Sequence, residues 1–331
     1  VRPSPSVEAW SRWYSQYIPS CDVFPFGLDG LPNNSMFNGH FRHGNVRCIG
    51  RVSRYAVFKN KERLNSSFRD FCEKFKIPLP TAYRQAKANM EAGYISAAKY
   101  DKAQPVLDEG AWAMAGEWTK RHFQHMSNSR VRTQEECIQA MDMTTSPGYP
   151  WTLKYTTKKQ MMRDAQAMRV ILDFWNALGK PGALPPLWTC AQKRELRDVE
   201  KLAENSLRTF TASPFEFSVS ANRMCLDANE RFYDGAIERS FSAVGKTKFL
   251  SGWDTMARKL GVFPNMYELD ESQFDSSLFR AALFGQRDIR WEFLAPEFQT
   301  EENRRRLWEL YDSIVNSYIV MEDGVLVQKT T

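Results

Sequence analysis

The sequence predicts an α+β fold, and two patterns carry that expectation. Most of the chain shows apolar residues recurring at the helical period, in stretches long enough for several turns each. Set among them are short stretches of strand character. One is 265–270, where Met266, Glu268 and Asp270 alternate with Tyr267 and Leu269. Another is 318–327, where two apolar runs flank Asp323-Gly324, a strong hairpin signal.

In order, residues 1–50 are rich in Pro, Gly, Asn and Ser, with Trp10, Trp13, Tyr14, Phe24 and Phe26 as aromatic anchors, and read as an extended segment draped over the rest. Helices are expected over 63–75, 81–98, 107–126 and 133–141, with Pro78 and Pro80 separating the first two. A further helix over 156–179 ends at Gly179-Lys-Pro-Gly182. A strand over 207–212 precedes a long helix over 219–239, and helices follow over 275–293 and 300–317. Within the last, Arg304-Arg-Arg306 reads as a solvated face over a buried stripe of Leu307, Leu310, Tyr311 and Ile314. Met224, Ala228 and Phe232 read as core, and the tryptophans as packing residues rather than base platforms.

With 331 residues the chain can build a large core and more than one subdomain. A net charge of +6 permits a polyanionic partner without requiring one. The six cysteines, Cys21, Cys48, Cys72, Cys137, Cys190 and Cys225, show no CxxC spacing and read as reduced thiols. The pairs His40/His43 and His122/His125 lack a Cys or carboxylate at ligand spacing and read as ordinary histidines rather than zinc ligands. No apolar run approaches the roughly 20 residues of a membrane span. No signal-peptide pattern opens the chain, and an initial Val reads as a processed or excised product.

Three constellations bear on chemistry. Thr144-Thr-Ser-Pro-Gly-Tyr-Pro-Trp151 is a rigid turn whose hydroxyls and amides suit a phosphate, with Tyr149 and Trp151 available to stack on a base; the plain alternative is a connecting turn. Lys193-Arg-Glu-Leu-Arg197, then Lys201 and Arg208, form a basic hairpin suited to a triphosphate; interleaved Glu195, Asp198, Glu200 and Glu204 equally allow a solvated charged loop. Asp270 ends the expected strand and Asp275 opens a helix five residues later. A strand end fixes the backbone while its carboxylate faces a cleft. Taken singly, Asp275 can be a helix cap and Asp270 a turn residue.

These three elements, in this order, resemble the RNA-dependent RNA polymerases of positive-strand RNA viruses, most closely the picornavirus-like supergroup, over roughly residues 142–331. The resemblance implies a right-hand polymerase fold: an extended N-terminal segment over 1–50, helix-rich fingers over 51–224, the first part of an antiparallel-sheet palm over 225–298, and an insertion over 299–331. It implies template-directed RNA synthesis from ribonucleoside triphosphates with Mg²⁺ or Mn²⁺. Asp270 is then the catalytic, metal-binding carboxylate, assisted by the Glu271 carbonyl, and Asp275 selects the ribose through its 2′-hydroxyl. Lys193, Arg197 and Arg208 bind the triphosphate, and Thr145, Ser146 and Gly148 guide the template RNA.

The implied partners are template and nascent RNA, ribonucleoside triphosphates and other viral replication proteins. The implied place is the host cytoplasm, at membrane-associated replication complexes. The family's second carboxylate site, typically Gly-Asp-Asp in a hairpin, and the Ser-Gly loop before it are not in this sequence. The expectation is a truncated polymerase that does not polymerise alone. The rival readings are a non-catalytic single-stranded RNA-binding protein using the basic segment and aromatics, and a two-metal nuclease, which needs further carboxylates clustered near Asp270.

Overall fold

A computed structural model describes residues 7–19, 21, 23–25, 41–52, 66–78, 81–236, 238–249 and 251–330. His40, Phe26 and the first three positions of the helix expected over 63–75 lie outside the described residues. The elements in order are α1 (Val7–Tyr14), β1 (Val23–Pro25), β2 (Val46–Val52), α2 (Ser66–Lys74), β3 (Tyr83–Gln85), α3 (Met90–Ala98), α4 (Glu109–His122), α5 (Gln134–Gln139), α6 (Lys158–Met161), α7 (Ala165–Ala177), β4 (Leu187–Gln192), β5 (Leu196–Asp198), α8 (Val199–Ala203), β6 (Thr209–Ala212), α9 (Phe215–Asp234), α10 (Gly252–Leu260), α11 (Phe274–Ser277), α12 (Arg280–Phe293), α13 (Glu301–Val315), β7 (Asn316–Val320) and β8 (Val325–Thr330). The α+β class holds.

An open six-stranded sheet in the order β1-β2-β8-β7-β4-β6 is the spine. Its pairings are antiparallel except β4 with β7, which run parallel in the register Leu187↔Tyr318. Alternation along the inner strands loads both faces. Tyr318, Val320 and Leu326 join a core with Trp10, Tyr14, Trp151, Ile171 and Phe215. Ile319, Met321, Val325 and Val327 point the other way, to Tyr94 and Cys190. Each fully buried large apolar side chain in such a core contributes about 1.5–3 kcal/mol.

Helix ends follow local chemistry. Thr133 and Glu136 form a reciprocal capping box at α5. The Asp164 carboxylate accepts the amides of Gln166 and Ala167 at the start of α7, whose buried face is Ala167, Val170, Ile171, Phe174 and Trp175. The turn Asp323-Gly324 closes the β7–β8 hairpin, with Gly324 at φ +86°.

The structure departs from sequence expectation in identifiable places. The helix expected over 81–98 is split, because Tyr83–Gln85 pairs with Leu196–Asp198 in a separate two-stranded ribbon. The helix over 156–179 is likewise divided by the Asp164 cap. The stretch 265–270 is exposed and makes no ladder pairing among the described residues, so the strand expected to end at Asp270 does not form there. Alternation alone does not make a strand; a partner must supply the hydrogen bonds. Arg306 is not solvated: it is 8% exposed, its guanidinium lies 4.2 Å from the Trp175 ring centroid, and it pairs with Glu302. No described helix is long and apolar enough to cross a membrane.

Candidate nucleotide and template site

Strands β4 and β6 set the basic residues side by side. Their ladder runs to Gln192↔Thr209, and the Lys193 amide then donates to the Arg208 carbonyl at 2.8 Å. Lys193 and Arg208 therefore face each other across the neck of the hairpin, both exposed. Beyond the neck the chain leaves the main sheet, and β5 places Arg197 against Arg84 of β3. Arg197 is half-buried; one of its Nη atoms donates to the Ser206 carbonyl at 2.9 Å, and its Nε has no hydrogen-bond partner among the described residues. Glu195 is the local counter-ion, 3.5 Å from Arg208 and 3.9 Å from Arg197.

Asp275 comes to the same place from the far side. It lies in the single turn of α11, held by Lys102 donating to the Ser276 hydroxyl at 3.3 Å and by Gln104 accepting the Arg280 amide at 3.0 Å. Two adjoining clefts result. One, about 340 Å³, is lined by Arg197, Arg208 and Asp275 with Lys99 and Tyr100. The other, about 350 Å³, is lined by Lys193, Arg208, Asp275, Trp188 and Lys329. Burial, and next the Asp275 charge, hold the Tyr100 phenol above its ordinary range, so it meets a ligand as a neutral donor.

The structure thus brings Lys193, Arg197, Arg208 and Asp275 together. It does not bring Asp270 and Glu271 with them: both lie on the exposed stretch before α11 and line neither cleft. Among the described residues no group of three or more His, Cys, Asp or Glu side chains stands ready for a metal ion. Asp270 and Glu271 offer a carboxylate and a carbonyl, which suits Mg²⁺, an ion that takes few protein oxygens and completes its shell with water and phosphate. Among the described residues, His122 and His125 are engaged elsewhere. The His122 ring accepts the Phe241 amide at 3.1 Å and stacks on Trp118, while burial lowers the His125 pKa. All six cysteines are thiols.

The Thr144–Trp151 turn lies on the opposite side of β4, docked on the start of α9. Phe215 donates its amide to the Pro147 carbonyl at 2.9 Å. Gly148 has φ +79°, and a Cβ there would stand 2.7 Å from the Ser213 carbonyl oxygen, so only glycine fits. Thr145 and Ser146 are exposed, but their hydroxyls are not idle as expected. Thr145 donates to the Asp142 carbonyl at 2.8 Å and accepts from the Lys158 ammonium at 2.6 Å; Ser146 accepts the Gly148 amide at 3.2 Å. Neither Tyr149 nor Trp151 is open to stack on a base, and for Trp151 the packing role expected of the tryptophans holds. They are 1% and 0% exposed, and the Trp151 indole donates to the buried Glu216 carboxylate at 2.6 Å. Large rings beside a rigid turn were worth more to the core than to solvent.

Lys158, Trp188 and Lys329 are site residues that the sequence reading passed over. Lys329 did leave a signal: alternation puts it on the same face of β8 as Val325 and Val327, a cation ending an apolar row.

Residues 71–331 match the family model described as viral RNA-dependent RNA polymerase. The chain is 30% identical over 264 residues to the genome polyprotein of Peanut mottle virus, covering 78% of this chain and 8% of the polyprotein. It is 28% identical over 301 residues to that of Lettuce mosaic virus, covering 86% of this chain and 9% of the polyprotein. Among solved structures, the Sicinivirus 3Dpol RNA dependent RNA polymerase superposes with a TM-score of 0.63 at 18% identity, over 76% of this chain and 56% of that one, which establishes a shared fold. The chain therefore spans less than a tenth of the two polyproteins.

Proposed function

Because the chain belongs to the family of viral RNA-dependent RNA polymerases, we propose that it carries the nucleotide-binding and template-guiding parts of an enzyme that extends an RNA 3′ end from ribonucleoside triphosphates. The observation that carries this reading is the meeting of Lys193, Arg208 and Asp275 in one cleft, although they come from different elements. Cations that fork or point at phosphate oxygens neutralise a triphosphate and the pyrophosphate that departs from it. Arg208, free to swing from Glu195, is the forked donor, and Lys193 the point charge. Asp275 accepts the ribose 2′-hydroxyl, the group that separates ribo- from deoxyribonucleotides.

Asp270, with the Glu271 carbonyl, is the ligand for divalent metal. Mg²⁺ or Mn²⁺ held there would supply charge stabilisation for the phosphoryl transfer. Thr145, Ser146 and Gly148 guide the template: Gly148 fixes the turn, and Thr145 with Lys158 offers a hydroxyl and a cation to the RNA backbone. In this reading residues 1–50 brace the fingers, 51–224 form them, 225–298 begin the palm and 299–331 are an insertion between them. The working partners are RNA and other viral replication proteins at cytoplasmic membranes. The alternative, non-catalytic binding of single-stranded RNA, loses its aromatic platform with the burial of Tyr149 and Trp151.

Primer extension by a polymerase chain that contains this segment tests the reading. Asp270→Ala is expected to reduce synthesis by at least about a thousandfold while RNA affinity stays within about twofold, since a transition-state charge partner is lost and a binding contact is not. Synthesis at wild-type rates by Asp270→Ala removes Asp270 from the chemistry.

A further inference from the structure

We propose that Lys329 is a further phosphate-contacting cation of the nucleotide cleft, a role that rests on the reading of that cleft given above. Lys329 sits on β8, an inner strand, paired to Val46 of β2 on one side and Ser317 of β7 on the other. Its backbone is therefore held in the sheet from both sides. Its side chain leaves the apolar face of the sheet at the floor of the cleft that Lys193, Arg208 and Asp275 also line. The ammonium lies 4.8 Å from the Tyr100 ring centroid, and no ion pair to it is found among the described residues. Three cations thus share this cleft with one carboxylate, Asp275. A multiply charged phosphate chain is the complement of that arrangement.

Burial pushes the Lys329 amine down to about 8. Desolvating a cation on an inner strand costs stability that the Tyr100 ring offsets only in part, and an arriving anion offsets more. Arg208 and Lys193 reach the cleft from a hairpin neck exposed to water, whereas Lys329 approaches from the sheet. A phosphate chain gripped from both sides is fixed in position as well as neutralised. Asp275 stands in the same cleft, so Lys329 places the phosphates relative to the ribose.

The test uses ATP with Mg²⁺ and the 331-residue chain. Equilibrium binding is measured for the wild type and for Lys329→Gln, Lys329→Arg and Lys193→Gln, with folding checked by urea melts. In parallel, the wild-type protein is acetylated with and without ATP and each lysine read by mass spectrometry, which needs no variant to fold. Lys329→Gln is expected to weaken ATP binding about tenfold, the usual scale for one charge-assisted contact. Lys329→Arg should retain most of the affinity, and ATP should shield Lys329 from acetylation. If Lys193→Gln weakens binding while Lys329→Gln does not, and Lys329 is acetylated equally with and without ATP, the inference falls and the cleft reading stands. If ATP neither binds nor shields any of these lysines, both fall.

Discussion

The two aspartates of one short motif lie in two different kinds of structure. Asp275 is tied through Ser276 and Arg280 to residues 102–104 and faces a sheet whose inner strands are buried on both sides. Asp270, five residues earlier, belongs to a stretch whose Tyr267 and Leu269 are 88% and 90% exposed. The exposed apolar residues continue upstream through Phe249, Trp253 and Phe263. The contrast is that the residues proposed to bind nucleotide gather against the sheet, while the proposed metal ligand lies on an exposed stretch that makes no ladder pairing among the described residues. An alternating apolar stretch left open to water is a strand in search of a ladder.

Truncation experiments sharpen this contrast. Phe215→Ala, in the core under the sheet, should destabilise the protein by about 3–5 kcal/mol, with lost burial and a residual cavity both contributing. Leu269→Ala should shift it by no more than about 0.5 kcal/mol, as surface changes do. Urea unfolding of the two variants checks both; a cost above about 2 kcal/mol for Leu269→Ala means that the stretch is packed after all.

A smaller effect comes from Glu216, fully buried and accepting from the Tyr14 hydroxyl at 3.1 Å and the Trp151 indole. Burial raises its pKa from 4.5 to about 7, against the opposing pull of those hydrogen bonds. The sign follows from linkage. A carboxyl with a raised folded pKa favours the fold fully below pH about 4.5, and that stability is lost as pH rises through about 7. The wild type should therefore lose on the order of 2–3 kcal/mol relative to Glu216→Gln between those limits. Denaturation at pH 5 and pH 7.5 measures it, and parallel profiles for the two proteins would mean that Glu216 is ionised throughout. Glu216 joins α1 to the Thr144–Trp151 turn, so the same titration reports on how firmly the N-terminal helix braces that turn.

What the sequence made legible divides along similar lines. The helix over 300–317 and the hairpin around Asp323-Gly324 were readable because period, caps and turn residues are all local. The hairpin that sets Lys193 beside Arg208 was readable for the same reason. The ribbon between Tyr83–Gln85 and Leu196–Asp198 was not, since its two strands are more than a hundred residues apart and neither pairs with its sequence neighbour. The fate of Tyr149, Trp151 and Arg306 depended on which surface their segments meet, which no local pattern states. Lys329 was overlooked because its neighbours in the cleft come from β4, β6 and α11, although its place in an apolar row was visible. The unpaired stretch before Asp270 misled in the opposite sense: its alternation is that of a strand, and the partner it needs is outside the pattern itself.

The most direct test of the central claim, that the cleft between β4, β6, β8 and α11 holds a ribonucleoside triphosphate, is a titration of ATP and 2′-deoxy-ATP with Mg²⁺ into the wild type, Arg208→Gln and Asp275→Ala. The account predicts that Arg208→Gln weakens both ligands about tenfold, and that Asp275→Ala removes the preference for the ribo form. Equal affinity of wild type and Arg208→Gln for ATP would contradict it.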